Sequence, residues 1–348
     1  MKAAVYRAPG DIVIEDRDVP ECGDDEILLR VRSASLCGTD MRIFKGGHFK
    51  IPTPARRVLG HEVSGVVAKV GRYVSGYHEG MRVSLTPNIG CGRCAMCRRG
   101  FNNMCPNYEA FGISIDGGFE DYMRVPNIAI RGANVFEIPA HVSFDEAAVV
   151  EPPSCCFNAF KYLSVTPEDR VLIIGSGPIG ACFVQLAKRY GAKSVIVADL
   201  NGDRLKRVER FGADVLINSA IRDLSSEVSA LTGGNGVDVV VTAASAPALQ
   251  PLALTLLAMH GRVNFFGGLP KGTTIPLDTS LIHYRGLIVT GTTGSSNEDY
   301  SRSMQLVADG QINVRDIVSD RFSLLDIHQA FETAQAGRGM KAMVVSRD

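Results

Sequence analysis

The chain has 348 residues, of which 45% are hydrophobic, enough material for two buried cores. Lys plus Arg and Asp plus Glu number 37 each, so the formal net charge is zero, which excludes a nucleic-acid binder that needs a basic surface to neutralise phosphates. The opening MKAAVYRAPGDIVIED has no basic flank before an apolar stretch, and no later segment reaches the ~18 uninterrupted apolar residues that span a bilayer, so the expectation is a soluble, cytoplasmic protein with no membrane partner.

From residue 1 to 152 the pattern is short alternating or β-branched runs broken by Gly and Pro, among them EILLRVRSASLCG and EVSGVVAKVG. These predict strands of a largely antiparallel, barrel-like domain. A lobe at 88–106 holds Cys91, Cys94, Cys97 and Cys105 in the run CGRCAMCRRGFNNMC. Three thiolates from one tight loop and a fourth after a short excursion suit tetrahedral zinc, in a closed site whose role is structural. An iron–sulfur cluster and two disulfides are the rival readings of the same four residues. Cys22, Cys155, Cys156 and Cys182 lack ligand-like spacing and are expected as small buried hydrophobes.

From 153 to 289 the rhythm becomes apolar strand, glycine turn and amphipathic helix, repeated. VLIIG (171–175), SVIVAD (194–199), DVLIN (214–218), VDVVVT (237–242) and RVNFFG (262–267) are strand candidates, with helical stretches such as IGACFVQLAKRY and GDRLKRVERFG between them. Alternation of this kind predicts an α/β domain with a doubly wound parallel sheet. Residues 290–348 return to mixed segments, with a helix at IHQAFETAQAG and a final strand at KAMVVS, and are assigned back to the first domain.

Gly175, Gly177 and Gly180 form GSGPIG directly after VLII and at the start of a helical pattern. The first glycine permits the tight turn, the second admits a pyrophosphate close to the backbone, and the third lets helix and strand pack closely. Pro178 and Ile179 begin the helix, whose free N–H groups and positive dipole end face the phosphates. Asp199 ends the next strand, 19 residues after Gly180, where a carboxylate accepts from the ribose hydroxyls of NAD. Arg204 is near enough in sequence for a cofactor contact, yet a carboxylate at the ribose would repel the 2′-phosphate of NADP.

Cys37, in LCGTD, and His61, in LGHE, offer a thiolate and an imidazole that suit a second, open zinc site. The stretch from Gly60 to Val74, GHEVSGVVAKVGRYV, resembles the zinc-containing alcohol dehydrogenase signature G-H-E-x2-G-x5-G-x2-V at every fixed position. With CGTD, GHE, the four-cysteine lobe, VVEPP and GxGxxG in that order, the whole chain resembles the zinc-dependent medium-chain dehydrogenase superfamily, in its polyol (sorbitol) and threonine dehydrogenase branch. The resemblance implies a GroES-like catalytic domain and a Rossmann domain. It implies one catalytic and one structural zinc, with Cys37, His61 and Glu151 at the three positions that bind or orbit the catalytic ion and Glu62 as an adjacent acid able to swing into coordination. Thr39 matches the hydroxyl that relays the substrate proton, and Asp40 the acid that orients the zinc histidine. It further implies a homodimer or homotetramer.

Two departures from the family pattern stand out. Arg42 occupies the place where many relatives carry a relay histidine, and a guanidinium accepts no proton at ordinary pH. The strand ending VDVVVTAASAP lacks an acid and a glycine often found there. The implied reaction is oxidation of a secondary alcohol, a polyol or sugar alcohol first, by hydride transfer to NAD, with Thr39 accepting the hydroxyl proton and Glu62 and Glu151 beside the metal. Arg42, Lys45, Arg56 and Arg57 leave a polyol phosphate open as substrate, and L-threonine is a further alternative. A metal-free quinone-reductase-like enzyme would not need Cys37, His61 and Glu151 together, while a non-catalytic NAD-binding zinc scaffold is the reading from another class.

Overall fold

The computed structural model describes residues 1–346. The chain forms two compact units, one of Met1–Glu151 with Ser295–Gly310 and the segment from Val314 on, the other of Pro152–Gly294 with Gln311–Asn313.

The first unit is mainly β. Its seven-stranded sheet runs in the order Val135–Glu137, Arg82–Leu85, Glu62–Val70, Ile27–Ser35, Lys341–Val345, Val318–Ser323, with Tyr122–Val125 also paired to Ile27–Ser35. Pairing is antiparallel except between Val318–Ser323 and Lys341–Val345. The strand Ile27–Ser35 is central and buried along most of its length, which is why ILLRVRSAS shows only a partial period-2 alternation. A smaller sheet of Asp11–Asp16, Lys2–Ala8 and Arg57–Val58 closes on the same core, in which Tyr6, Leu29, Phe111 and Phe119 are wholly buried. Register places Ser35 opposite both Glu62 and Met343, so three segments far apart in sequence meet at one end of this sheet.

The second unit carries a six-stranded, all-parallel sheet: Val215–Asn218, Ser194–Asp199, Arg170–Ile174, Val237–Thr242, Leu257–Phe265, Ile288–Gly291. In chain order this is 3-2-1-4-5-6, the doubly wound arrangement of dinucleotide-binding domains. Leu172 and Ile174 face one side and Val171 and Ile173 the other, all buried, so helices must cover both faces and the strands read as continuous apolar runs. The strand expected at DVLIN begins one residue later, and RVNFFG overlaps the end of a longer strand, Leu257–Phe265, which stops two residues short of the expected end.

The boundary drawn from sequence at 289/290 does not match the packing. It would cut the strand Ile288–Gly291, which is paired in register to Arg262–Phe265 and so belongs whole to the second unit. Residues 311–313 join that unit as well, because the Gln185 amide exchanges hydrogen bonds with the Asn313 backbone (Asn313 N to Oε1 2.6 Å, Nε2 to Asn313 O 3.2 Å). The helix Asn297–Ala308 returns to the first unit through Tyr300, whose hydroxyl donates to Ser84 Oγ at 3.0 Å.

Glu120 is a buried carboxyl in the first unit, and no Lys or Arg pairs with it among the described residues. Burial pushes it up to about 9, with the nearby Asp116 charge adding to the shift and Arg17 opposing it. Below pH about 4.5 the folded and unfolded chains are both protonated there; above it the unfolded chain releases the proton and the folded one holds it, so stability falls as pH rises toward 9. Glu120→Gln is expected to raise Tm by a few degrees at pH 8 and to leave it nearly unchanged at pH 4.5. Thermal unfolding at the two pH values checks this, and an equal effect at both would remove the explanation.

Candidate metal centre and dinucleotide turn

Cys37 is the residue before the helix Gly38–Gly46, and its placement is fixed from Asp40 one turn on. Asp40 Oδ2 accepts from Cys37 N at 2.8 Å, while Oδ1 accepts from Gly60 N at 3.2 Å and lies 3.5 Å from His61 Nδ1. One wholly buried carboxylate therefore braces both segments that carry the thiol and the imidazole. With Nδ1 turned to Asp40, Nε2 is the nitrogen left for a metal, the usual orientation of a zinc histidine.

Cys37, His61 and Glu62 each offer a ligand atom, all within 4.8 Å of one another. Burial opposes ionisation of Cys37, but the charges of His61 and Lys341 outweigh it and bring the thiol down to about 7. Burial likewise disfavours a charged His61, and the Asp40 and Cys37 charges reverse that and hold the imidazole well above its ordinary value. Burial pushes Glu62 well above the carboxylate range, offset in part by Lys341 and reinforced by Cys37 and Glu151. A thiolate, an imidazole and a carboxylate converging with little water suit zinc. Glu151, the first residue of the helix Glu151–Leu163, lies outside this tight triplet, although it is buried and its charge acts on Cys37, Glu62 and Lys341. The acid that completes the compact set is Glu62, with Glu151 behind it.

Thr39 sits in the first turn of the same helix and its Oγ1 accepts from Arg42 Nη2 at 2.8 Å. Of the other cations weighed for a substrate phosphate, Arg56 pairs with Glu15 at 2.6 Å and Arg57 with Asp116 at 2.7 Å. Two of the four are thus already neutralised by acids of the β unit.

In the lobe, Asn88–Ile89 pairs with Glu109–Ala110 and closes a hairpin around the four cysteines, whose sulfurs also lie within 4.8 Å of one another. All nine cysteines of the chain are free thiols here. Backbone N–H groups of Arg93 and Cys94 draw Cys91 down to about 6, while burial and the neighbouring Cys94 push Cys97 up to about 12. Four sulfurs this close cannot all ionise without a cation between them, and a dication with tetrahedral preference fits. Cys155, Cys156 and Cys182 are buried, as small hydrophobes should be; Cys22 differs, being half-buried with its thiol directed at Glu26 O (3.4 Å).

In the second unit the turn GSGPIG joins the strand Arg170–Ile174 to the helix Pro178–Arg189. Gly175 has φ +118°, and a Cβ on Gly180 would stand 2.1 Å from Gly175 O, so both must be glycine for the turn to close. At Gly177 a Cβ would meet nothing within 4 Å; that glycine leaves open space above the helix N-terminus. Pro178 takes the first helical position with Ile179 after it. Asp199 Oδ2 accepts from Ser176 N at 2.7 Å and Ser176 Oγ at 2.8 Å, and Oδ1 accepts from Asn201 N at 2.9 Å. Three of roughly four acceptor positions are used, so the carboxylate is anchored on the turn and still has capacity for a hydroxyl. Arg204 N is bonded to Asn201 Oδ1 at the start of the next helix.

Lys341 is the residue that the sequence reading misses. Its Nζ lies 2.5 Å from Glu62 Oε1 and it is 5% exposed. The available signal is a single lysine in the otherwise apolar run KAMVV.

A β unit with a thiolate–imidazole–carboxylate set and a four-thiolate lobe, in one chain with a parallel-sheet unit whose glycine turn opens a helix, defines a metal- and dinucleotide-dependent oxidoreductase. Residues 23–137 match the alcohol dehydrogenase GroES-like domain and residues 178–309 the zinc-binding dehydrogenase domain. The chain is 33% identical to sorbitol dehydrogenase of Bacillus subtilis (strain 168) over 338 residues, 96% of this chain and 93% of that protein. It is 34% identical to L-threonine 3-dehydrogenase of Pyrococcus abyssi (strain GE5 / Orsay) over 333 residues, 94% and 92% of the two. The crystal structure of galactitol-1-phosphate dehydrogenase from Escherichia coli superposes with a TM-score of 0.88, at 26% identity, over 99% of this chain and all of that one (100%). The chain belongs to the zinc-dependent alcohol dehydrogenase family of medium-chain dehydrogenases, and its cofactors are zinc and NAD.

The glycine geometry separates folding from binding. Gly180→Ala is expected to lower Tm by several degrees, because its Cβ collides with backbone. Gly177→Ala should fold with unchanged Tm and lose at least tenfold in NADH affinity, because the methyl fills the space a pyrophosphate needs. Fluorescence titration with NADH alongside thermal unfolding checks both, and tight NADH binding by Gly177→Ala would refute the placement.

Proposed function

We propose that this enzyme oxidises a secondary hydroxyl of a neutral polyol or sugar alcohol to the ketone, passing hydride to NAD. The observation that carries the reading is the donor set: one thiolate and one imidazole, with two buried acids, Glu62 and Glu151, where an all-sulfur environment would be softer. Oxygen donors keep zinc hard and readily hydrated, which favours substrates with adjacent hydroxyls. Zinc held by Cys37, His61 and an acid supplies Lewis-acid polarisation of the substrate oxygen.

Thr39 Oγ1 takes the hydroxyl proton. Arg42 holds that oxygen by donating to it and cannot itself accept the proton, which passes from Thr39 to solvent. Asp40 keeps His61 in the orientation a metal needs. On the dinucleotide side, Gly177 admits the pyrophosphate to the helix start, with Pro178 and Ile179, and Asp199 accepts from the ribose while its charge disfavours a 2′-phosphate. Cys91, Cys94, Cys97 and Cys105 hold the second zinc.

Neutral polyols rank ahead of polyol phosphates because Arg56 and Arg57 are engaged by Glu15 and Asp116. L-Threonine ranks behind, since it needs one partner for its carboxylate and another for its amine. NAD reduction measured across neutral polyols, polyol phosphates, L-threonine and simple primary alcohols tests the assignment. Neutral polyols should give the highest kcat/KM, and a wide margin for short primary alcohols would refute the polyol reading.

The two donor sets differ in closure, which predicts unlike lability. Atomic emission should find two zinc ions per chain, and brief chelation should remove one together with activity, leaving the other in the four-cysteine lobe. Full activity with a single zinc per chain would contradict the two sites.

A further inference from the structure

The lobe that carries the four cysteines has little apolar core of its own: none of the residues Ala95–Arg98 or Asn102–Met104 is buried. Asparagines tie it to the rest of the β unit. Asn102, between Cys97 and Cys105, donates through Nδ2 to Asn88 O at 2.7 Å and to Asn297 Oδ1 at 3.0 Å, and its Oδ1 accepts from Asn297 N at 2.9 Å. Asn297, 195 residues further on, opens the helix Asn297–Ala308 and donates through its own Nδ2 to Gly132 O at 2.6 Å and Ala133 O at 3.0 Å. Asn134, wholly buried, donates to Asn88 O at 2.9 Å and Thr86 O at 3.1 Å. Both N–H donors of the Asn102 and Asn297 amides are therefore used and both amide oxygens accept, which a carboxylate or an apolar side chain could not reproduce. A glycine permits the close approach: a Cβ on Gly90 would stand 2.6 Å from Cys97 Sγ and 2.9 Å from Asn102 Cβ, so a ligand sulfur and the clasping residue crowd the same point of the hairpin.

We propose that Asn102 and Asn297 are positioning residues that couple retention of the metal in the four-cysteine lobe to the seating of the helix Asn297–Ala308. The inference rests on the reading of Cys91, Cys94, Cys97 and Cys105 as zinc ligands. With so little burial, the lobe depends on its ion for order. The segment that carries Asn102 is tethered at both ends by ligand thiols, so a filled site presents the amide already ordered to Asn297, and an empty one makes the clasp bear that ordering cost. Coupling of this kind is reciprocal: the factor by which the metal strengthens the clasp is the factor by which the clasp strengthens metal binding. The helix concerned lies where the chain returns to the β unit, at Ser295, and it carries Tyr300, wholly buried and donating to Ser84 Oγ at 3.0 Å. The lobe thereby has a task beyond its own hairpin, which is to hold in place a segment remote from it in sequence.

Zinc release from the two-zinc protein to a chromogenic chelator follows the two sites separately, because the open site should empty first. In Asn102→Ala and in Asn297→Ala the lobe metal should leave about tenfold faster than in the wild type, with release from the open site unchanged. The double variant should be no faster than either single one, since each breaks the same clasp. Hydrogen exchange on the full chain gives the reciprocal arm. Once the lobe is emptied, amides at 296–301 and 132–134 of the wild type should exchange about tenfold faster, whereas in Asn102→Ala they should exchange fast with the lobe filled and emptying should add little. Equal acceleration of release at both sites, or wild-type release in either single variant, would overturn the coupling, as would unchanged exchange at 296–301 when the lobe is emptied. The release arm stands even where the emptied protein does not stay folded. Absence of any metal once the open site has been chelated would instead remove the reading of the four cysteines, and the clasp with it.

Discussion

Charge placed where water cannot reach it must be answered by charge or by hydrogen bonds, and that requirement organises the β unit around its metal-binding corner. Asp40 is answered by the backbone of Cys37 and Gly60 and by His61; Glu62 is answered by Lys341 and Ser35. Each answer pins a different piece of chain: the helix Gly38–Gly46, the start of the strand Glu62–Val70, and the strand Lys341–Val345. The site is accordingly rigid before any metal enters, and its geometry is set by electrostatic necessity as much as by apolar packing. That rigidity is what a ligand set held to a few tenths of an ångström requires.

The dinucleotide turn is positioned by a different kind of force. There the decisive facts are steric: a backbone carbonyl where a Cβ would stand at Gly180, and open space at Gly177. The apolar strands beneath it bury both faces of a parallel sheet, so the turn is presented at the end of a stiff scaffold. Asp199 links turn and scaffold through Ser176, which makes the acid that faces a ribose also a brace for the loop that faces the phosphates.

What the sequence revealed and what it hid follow from the range of the interactions. GSGPIG and the CxxCxxC lobe are legible because spacing along the chain nearly fixes spacing in space, whereas Cys37 and His61, 24 residues apart, are legible through the resemblance of GHEVSGVVAKVGRYV to a family signature. The strand candidates VLIIG, SVIVAD and VDVVVT are legible because burial on both faces leaves near-continuous apolar runs. Lys341 was hidden because its partner is 279 residues away and nothing local marks a buried lysine. Arg56 and Arg57 looked available for a phosphate because their acids, Glu15 and Asp116, lie 41 and 59 residues off. The sixth strand, Ile288–Gly291, was cut by the sequence boundary because, at the edge of the sheet, it is only half shielded and lacks the strong apolar signature of its neighbours.

The distance from Glu62 to Lys341 has a consequence for how the site is made. A ribosome supplies Cys37, His61 and Glu62 early, whereas the lysine that pairs with Glu62 emerges 279 residues later, at about 5–20 residues per second. Until the strand Lys341–Val345 docks, the acid beside the metal-binding histidine lacks its buried cation, so this corner of the β unit is completed only when that strand joins the sheet.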